Sequence, residues 1–137
     1  MQVDEQTIKI FDESLTRCNA NPLFFDRFYQ IFLASSPLVQ EKFAHTDFSK
    51  QKEALRASFH AMLLAVKDEE GGPDKYLHDL AELHSSRQLG IGSGLYDDWL
   101  DSLLATVKEC DPQYGSEVRD AWEKVMVIGI RFMLSRY

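Results

Sequence analysis

Apolar residues recur along nearly the whole chain at intervals of three and four positions, which is the spacing of one face of a helix. The first such stripe comprises Ile8, Phe11, Leu15 and Cys18. No stretch of the sequence shows the strict apolar–polar alternation that is typical of a half-buried strand. The pattern therefore predicts an all-α chain.

Capping residues and helix breakers divide this pattern into six or seven helices. Asn21-Pro22 joins a capping residue to the residue favoured in a first helical turn, and Ser36-Pro37 ends the helix that begins there. After the first stripe, helices are expected from Pro22 to Ser36, from Asp47 to Val66, from Asp74 to Ser86, through Tyr96 to Asp111, and from Ser116 to Met133, with a short turn at 37–43. No repeat or long linker interrupts them, so a single domain spanning 1–137 is expected.

Composition and charge narrow the classes of function. With 137 residues, 45% hydrophobic and 27% charged, the chain has the composition of an ordinary globular domain. A net charge of -7 without a Lys/Arg cluster argues against a nucleic-acid-binding surface. No apolar run approaches the roughly 20 residues of a membrane span, and the acidic start "MQVDEQTIKIFDE" is unlike a targeting peptide. Cys18 and Cys110 lack CxxC spacing, so free thiols and a cytoplasmic location are expected.

A histidine occupies one slot of an apolar helix face within "YLHDLAELHSSRQLGI" (76–91). This residue, His84, shares its face with Leu77, Leu80 and Ala81. A core histidine bonded to a backbone carbonyl is the common explanation of such a residue. The other explanation is an axial ligand, a neutral imidazole whose second ring nitrogen is held by the carbonyl of Leu80 or by one of the serines that follow. A single histidine does not make a zinc site, whereas haem requires only one protein ligand.

Two further polar side chains lie on faces that are otherwise apolar. Tyr29 lies within a phenylalanine-rich face, and Gln51 interrupts the stripe of Phe48, Leu55 and Phe59. Each has a plain explanation, since a buried tyrosine commonly bonds to a carbonyl and a glutamine near a helix start commonly lies close to solvent. Taken together, they indicate two hydrogen-bond donors, from two helices, facing a space opposite an imidazole.

Four segments of the chain occur in a recognisable order: "FYQIFLASSPLVQEKF" (28–43), "QKEAL" (51–55), "LAELH" (80–84) and "DAWEKV" (120–125). This order resembles bacterial single-domain globins and the globin domain of flavohaemoglobins over essentially the whole chain. The resemblance implies the globin fold, all-α, with six to seven helices packed around a haem pocket. In that comparison His84 matches the proximal histidine, and Phe43 matches the phenylalanine that stacks on the haem. The tyrosine, glutamine and leucine of the distal pocket match Tyr29, Gln51 and Leu55.

The resemblance also implies a cofactor and a set of ligands. The cofactor is a non-covalent haem b whose iron is bound by His84. The residues expected to hold it are Phe43, Leu55, Leu77, Leu80, His84 and Ile91, together with Phe25. Tyr29 and Gln51 would donate hydrogen bonds to O₂ at an open sixth position, with less effect on CO. Reversible binding of O₂, CO and NO is therefore expected, for O₂ storage and delivery or for NO detoxification with a separate reductase.

Two positions bear on the flavohaemoglobin pattern, in which a Tyr and a Glu support the proximal histidine. Tyr96 matches the Tyr if a longer preceding loop is allowed, and Tyr137 stands where the Glu would fall. Without that carboxylate the imidazole donates less electron density to iron, so peroxidase-like catalysis is not expected. NO dioxygenation stays open, and it would use an external reductase because the chain has no Gly-rich dinucleotide fingerprint.

Two other functions fit the same pattern. One is a haem-based gas or redox sensor that signals to a partner protein, and the other is a haem-free, globin-shaped interaction module. A homodimer through the last two helices would favour the sensor, and Leu95 and Met133 are expected to be exposed there. Arg87 could pair with a haem propionate, although a surface position explains it equally well. His45 is expected to face solvent, with a haem propionate as the alternative contact.

Overall fold

Seven helices account for the architecture of residues 3–86 and 89–137, the part of the chain that the computed structural model describes. They are α1 (Glu5–Ala20), α2 (Phe24–Ser35), α3 (Pro37–Lys42), α4 (Phe48–Lys67), α5 (Gly72–His84), α6 (Ser93–Cys110) and α7 (Ser116–Ser135). These described ranges contain no strand, and none of their helices has both the length and the apolar character that a membrane span requires. The prediction of an all-α fold is confirmed.

Side-chain caps explain where two of the helices begin: Asp47, which the sequence predicts as a cap, and Ser36, which caps the short helix α3 where a turn was expected. The Asp47 carboxylate accepts hydrogen bonds from the backbone N–H groups of Ser49 and Lys50, so α4 begins where the sequence indicates. The Ser36 hydroxyl accepts a hydrogen bond from the N–H group of Val39, and a proline occupies the first turn of α3. The local signals at both sites therefore determine the start of the helix.

The expected start of α2 at Pro22 is wrong by two residues. The side-chain oxygen of Asn21 accepts a hydrogen bond from the N–H group of Leu23 at 2.9 Å, which closes a turn over 21–23. The helix therefore begins at Phe24. Helix α5 likewise begins and ends two residues before the expected span of 74–86. At its start, Gly72 has a φ of 54°, which turns the chain into the helix.

Trp122 on α7 lies at the centre of the core. Its ring centroid is 4.9 Å from that of Phe11, 6.3 Å from that of Phe24 and 5.6 Å from that of Phe59. The four rings belong to α7, α1, α2 and α4, and all are fully buried. Aromatic pairs at such distances contribute roughly 0.5–1.5 kcal/mol beyond the burial of their area. This cluster therefore holds four helices together.

A buried polar network joins α1 to the connection between α6 and α7. The Asp111 carboxylate accepts hydrogen bonds from Nε and Nη2 of Arg17, at 2.7 and 2.8 Å, and from the Ser14 hydroxyl at 2.6 Å. Ser14 in turn accepts a hydrogen bond from the indole N–H of Trp122 at 2.8 Å. Because a buried carboxylate is costly without such partners, the network fixes the position of α1 against α7.

The segment after α5 folds back along the end of that helix. The N–H group of Gly90 donates to the carbonyl of Ser85 at 2.9 Å, and the N–H group of Ile91 donates to the carbonyl of His84 at 3.1 Å. Ile91 is thereby held next to the last turn of α5. The position of this segment matters because its side chains border the cavity described below.

Candidate functional site

A cavity of about 280 Å³ lies among α2 to α7, with mainly apolar walls and an opening to the surface. Seven of the nine residues predicted for the site line it, namely Tyr29, Phe43, Gln51, Leu55, Leu80, His84 and Ile91. The other two, Leu77 and Phe25, are buried in the core and do not line the cavity. The fold therefore brings together side chains that lie far apart in the sequence.

His84 is the last residue of α5, and its ring is partly buried. Nδ1 lies 2.8 Å from the carbonyl oxygen of Leu80, one turn earlier. Burial lowers the pKa of His84, and the bond to the Leu80 carbonyl only partly opposes this shift. The imidazole is therefore neutral at pH 7. Because a carbonyl oxygen can only accept, Nδ1 holds the proton and Nε2 keeps a lone pair.

Tyr29 and Gln51 form a second polar group of the cavity. Tyr29 on α2 is buried, and its ring packs against Phe43 and Phe48 with centroids 6.0 and 5.3 Å away. Burial raises the pKa of Tyr29 to about 12, and a side-chain hydrogen bond with Gln51 opposes this effect. The hydroxyl therefore stays protonated, as a hydrogen-bond donor, across the physiological range. Gln51 is half-buried and lines the cavity.

Phe43 presents an aromatic ring to the cavity from the end of α3. Its N–H group donates to the carbonyl of Val39 at 3.1 Å, which sets the direction of the chain as the helix ends. The ring is stacked on Phe48 with centroids 6.2 Å apart and packs edge-on against Phe32 at 5.6 Å. These contacts hold a half-buried ring in place at the wall of the cavity.

Sequence reasoning missed much of the lining. The additional residues are Phe32, Lys42, Thr46, Ala54, Ser58, Met62, Leu83, Leu89, Leu95, Tyr96, Trp99, Ile130 and Met133. Several continue helical faces that the sequence does show, as Ala54, Ser58 and Met62 follow Gln51 and Leu55 along α4. The residues of α7 could not be found in this way, because their approach to the cavity depends on how the helices pack.

The expectation that Leu95 and Met133 are exposed is wrong. Leu95 is 7% exposed and Met133 is 5% exposed, and both line the cavity. The helical period had identified them as apolar positions, but it does not say which neighbouring surface covers them. Neither residue is available for a contact with a second copy of the chain, and the homodimer stays a prediction without their support.

Other residues considered from the sequence lie away from the cavity. Phe25 is buried in the core, where its ring stacks on Phe59 at 6.1 Å. His45 and His60 are exposed and do not line the cavity. Arg87 lies outside the described residues.

Tyr96 on α6 lines the cavity beside His84. Its ring lies nearly parallel to that of His84, with centroids 6.4 Å apart, and only 8% of the residue is exposed. Its buried hydroxyl has no hydrogen-bond partner among the described residues, and burial raises the pKa of Tyr96 to about 12. A buried donor without an acceptor is costly, and a polar group in a molecule that fills the cavity would remove that cost.

Tyr137, which the resemblance to flavohaemoglobins places where their glutamate would fall, is half exposed. A main-chain oxygen of Tyr137 accepts hydrogen bonds from the N–H and hydroxyl groups of Ser86, at 3.0 and 2.6 Å. This contact lies two residues after His84. No carboxylate contributes to the pKa shift of His84 in the described structure, so the histidine is supported by a neutral carbonyl.

These features fit a haem. An imidazole with an Nε2 lone pair borders a cavity with apolar and aromatic walls, and beside it lies the Tyr96 hydroxyl, which no described residue bonds. Within the described ranges, no group of three or more His, Cys, Asp or Glu side chains could hold a metal ion. A metal at His84 would therefore take most of its ligands from a cofactor, as a haem iron does from the porphyrin.

The comparisons with known proteins agree with this geometry. A globin family model matches residues 26–129, more than half of the chain. Among solved structures, the chain is similar to protein PA3967 from Pseudomonas aeruginosa PAO1, described as structurally highly homologous to a human haemoglobin. The two chains are 42% identical with a TM-score of 0.88, over 96% of this chain and 98% of that chain. Among curated proteins, no significant match was found. The chain therefore belongs to the globin family.

Proposed function

We propose that this chain binds haem b non-covalently and, with the haem in place, reversibly binds O₂ and other diatomic gases. The observation that carries the proposal is the 2.8 Å hydrogen bond from His84 Nδ1 to the carbonyl of Leu80. It fixes the tautomer in which Nε2 can act as a metal ligand, and it orients the ring. Haem, when bound, supplies an iron with a coordination position open to a diatomic gas.

The pair formed by Tyr29 and Gln51 supports a preference for polar gases. The Tyr29 hydroxyl and the Gln51 amide can each donate a hydrogen bond to a diatomic molecule in the cavity. Each such bond contributes about 0.5–1.5 kcal/mol net. Because O₂ is more strongly polarised than CO when it is held at iron, the pair should slow the release of O₂ more than the release of CO.

The walls of the cavity serve to hold a flat apolar molecule and to exclude water. Phe43, Leu55, Leu80 and Ile91 present hydrocarbon surface to it from four different parts of the chain. Burial of apolar area contributes about 25 cal/mol per Å². A large macrocycle can therefore be held by contact, with the bond to His84 fixing its position.

The surroundings of His84 favour gas binding over peroxide chemistry. Burial lowers the pKa of His84, and the contact that opposes this shift is the neutral carbonyl of Leu80 rather than a carboxylate. A carbonyl partner makes the imidazole less electron-rich than a carboxylate partner does. We therefore propose a role in O₂ storage or delivery, or in NO detoxification that takes its electrons from a separate reductase.

The test is an absorption spectrum of the purified protein with added hemin, recorded as prepared, after dithionite and after CO. We expect a Soret band that shifts on reduction and shifts again with CO. His84→Ala should lose this spectrum, whereas His60→Ala, at an exposed position on α4, should keep it. A wild-type protein that stays colourless with hemin would refute the proposal. An unchanged ferrous spectrum in His84→Ala would refute His84 as the ligand.

A further inference from the structure

The charges of the cavity lining differ from those of the whole chain. The sequence has 22 acidic and 15 basic residues, yet no Asp or Glu is found among the described residues that line the cavity. Lys42 is the one lysine or arginine among these described lining residues. Although the chain is acidic, the described lining of its cavity contains a lysine and no carboxylate.

Lys42 lies at the mouth of the cavity, at the end of α3 and directly before Phe43. It is exposed, and its Nζ donates a hydrogen bond to the carbonyl oxygen of Leu89 at 3.1 Å. Leu89 is itself 47% exposed and also lines the cavity. The ammonium group thus bridges from α3 to the segment that follows His84.

The ammonium group of Lys42 has spare hydrogen-bonding capacity. It has three N–H donors, and within the described structure its polar contact is the neutral carbonyl of Leu89, with no ion pair to a carboxylate. Other lysines of the chain do form such pairs, as Lys52 does with Asp26 at 2.7 Å. A cation at the mouth of an apolar cavity is therefore available to an anionic group on the molecule that enters.

We infer that Lys42 anchors the carboxylate edge of the haem at the mouth of the cavity, an inference that rests on the proposed function. A haem is a flat apolar ring that carries two carboxylates on one edge, and burying those charges in an apolar cavity would be costly. The ring therefore enters the cavity and the carboxylates remain at its mouth, where Lys42 provides the opposite charge. Lys42 acts as a positioning residue for the orientation of the ring.

The experiment compares protoporphyrin IX with its dimethyl ester, which has the same ring but no free carboxylate. Binding of both is followed by porphyrin fluorescence, which does not depend on iron, gas or activity. The variants are Lys42→Met, which keeps the alkyl chain, Lys42→Arg, which keeps the charge, and Lys9→Met as a control at an exposed lysine of α1 away from the cavity. Far-UV circular dichroism checks that each variant is folded.

We expect Lys42→Met to weaken binding of the free acid by about 2- to 5-fold, as an exposed ion pair does, and to leave binding of the ester unchanged. Lys42→Arg and Lys9→Met should bind both porphyrins as the wild type does. This loss of affinity for the free acid should shrink in high salt.

Equal weakening of acid and ester would overturn the inference, because Lys42 would then act only through its bond to Leu89. An unchanged affinity for the acid would overturn it as well, with the proposed function intact. A wild-type protein that binds neither porphyrin nor hemin would refute the proposed function itself.

Discussion

The buried carboxylate of Asp111 allows a quantitative test of the packing argument through the substitution Asp111→Asn. The side chain has no exposed surface and accepts four hydrogen bonds, two from Arg17, one from Ser14 and one from the N–H group of Gln113. Asparagine has the same shape, but one of its two polar atoms is a donor. That NH₂ group must then face Arg17 or Ser14, which are donors themselves.

The magnitude follows from the partners that are lost. A hydrogen bond to a charged group contributes about 1.5–3 kcal/mol, and an ion left unpaired in the interior costs about 3–5 kcal/mol. The Arg17 side chain is 23% exposed, so it can recover part of its hydration. We therefore expect Asp111→Asn to lower the free energy of unfolding by about 2–4 kcal/mol.

The matched control is Glu109→Gln, the same chemical change two residues earlier. Glu109 binds Arg27 with similar geometry, at 2.6 and 3.0 Å, but both side chains are almost half exposed. Little or no change in stability is expected there. The assay is urea unfolding at pH 7, followed by far-UV circular dichroism at matched haem occupancy. Equal losses in the two variants would refute the claim that burial makes the Asp111 network important.

The same network predicts a pH dependence. Burial alone would raise the pKa of Asp111, but hydrogen bonds from Arg17 and Ser14 outweigh it and hold the pKa below its usual value. A lowered pKa means that the stabilisation is fully present above the unfolded-state value of about 3.9 and is lost as the pH falls through the folded-state value. The difference between wild type and Asp111→Asn should therefore be constant from about pH 7 to 5 and shrink below about pH 4.

Three further substitutions or measurements test the cavity and the thiols. Tyr29→Phe should speed O₂ dissociation by up to about ten-fold and leave CO dissociation unchanged in stopped-flow measurements. Equal acceleration of O₂ and CO dissociation would contradict a role of Tyr29 in hydrogen bonding. Tyr96→Phe removes a buried hydroxyl that has no partner in the described part of the chain, so urea unfolding of the haem-free protein should show no loss of stability. A loss above about 1 kcal/mol would mean that the hydroxyl is bonded. Burial raises the pKa of Cys18 to about 12, so at pH 8 an aromatic disulfide reagent should label Cys110 first and should label both thiols only after unfolding. Fast labelling of both thiols in the native protein would argue against this packing.

Local patterns in the sequence determined the class of fold and the helix faces on which the predicted site residues lie. The period of apolar residues showed which positions share a helix face, and it placed His84 on one such face because a side chain's direction repeats every 3.6 residues. A short-range signal also determined the start of α4, since the Asp47 cap bonds to N–H groups only two and three residues away. The role proposed for Tyr29 and Gln51 required the resemblance to known globins, because an internal tyrosine or glutamine has an ordinary explanation.

Only the tertiary structure decided what each face packs against. Leu95 and Met133 turned out to line the cavity because α6 and α7 meet the other helices there, a fact that no local period contains. The bond from Lys42 to the Leu89 carbonyl joins residues 47 positions apart, and neither residue has a sequence signal that points to the other. The physical reason is the same in both cases. Helix formation depends on interactions within a few residues, whereas the surroundings of a side chain depend on which distant elements cover it.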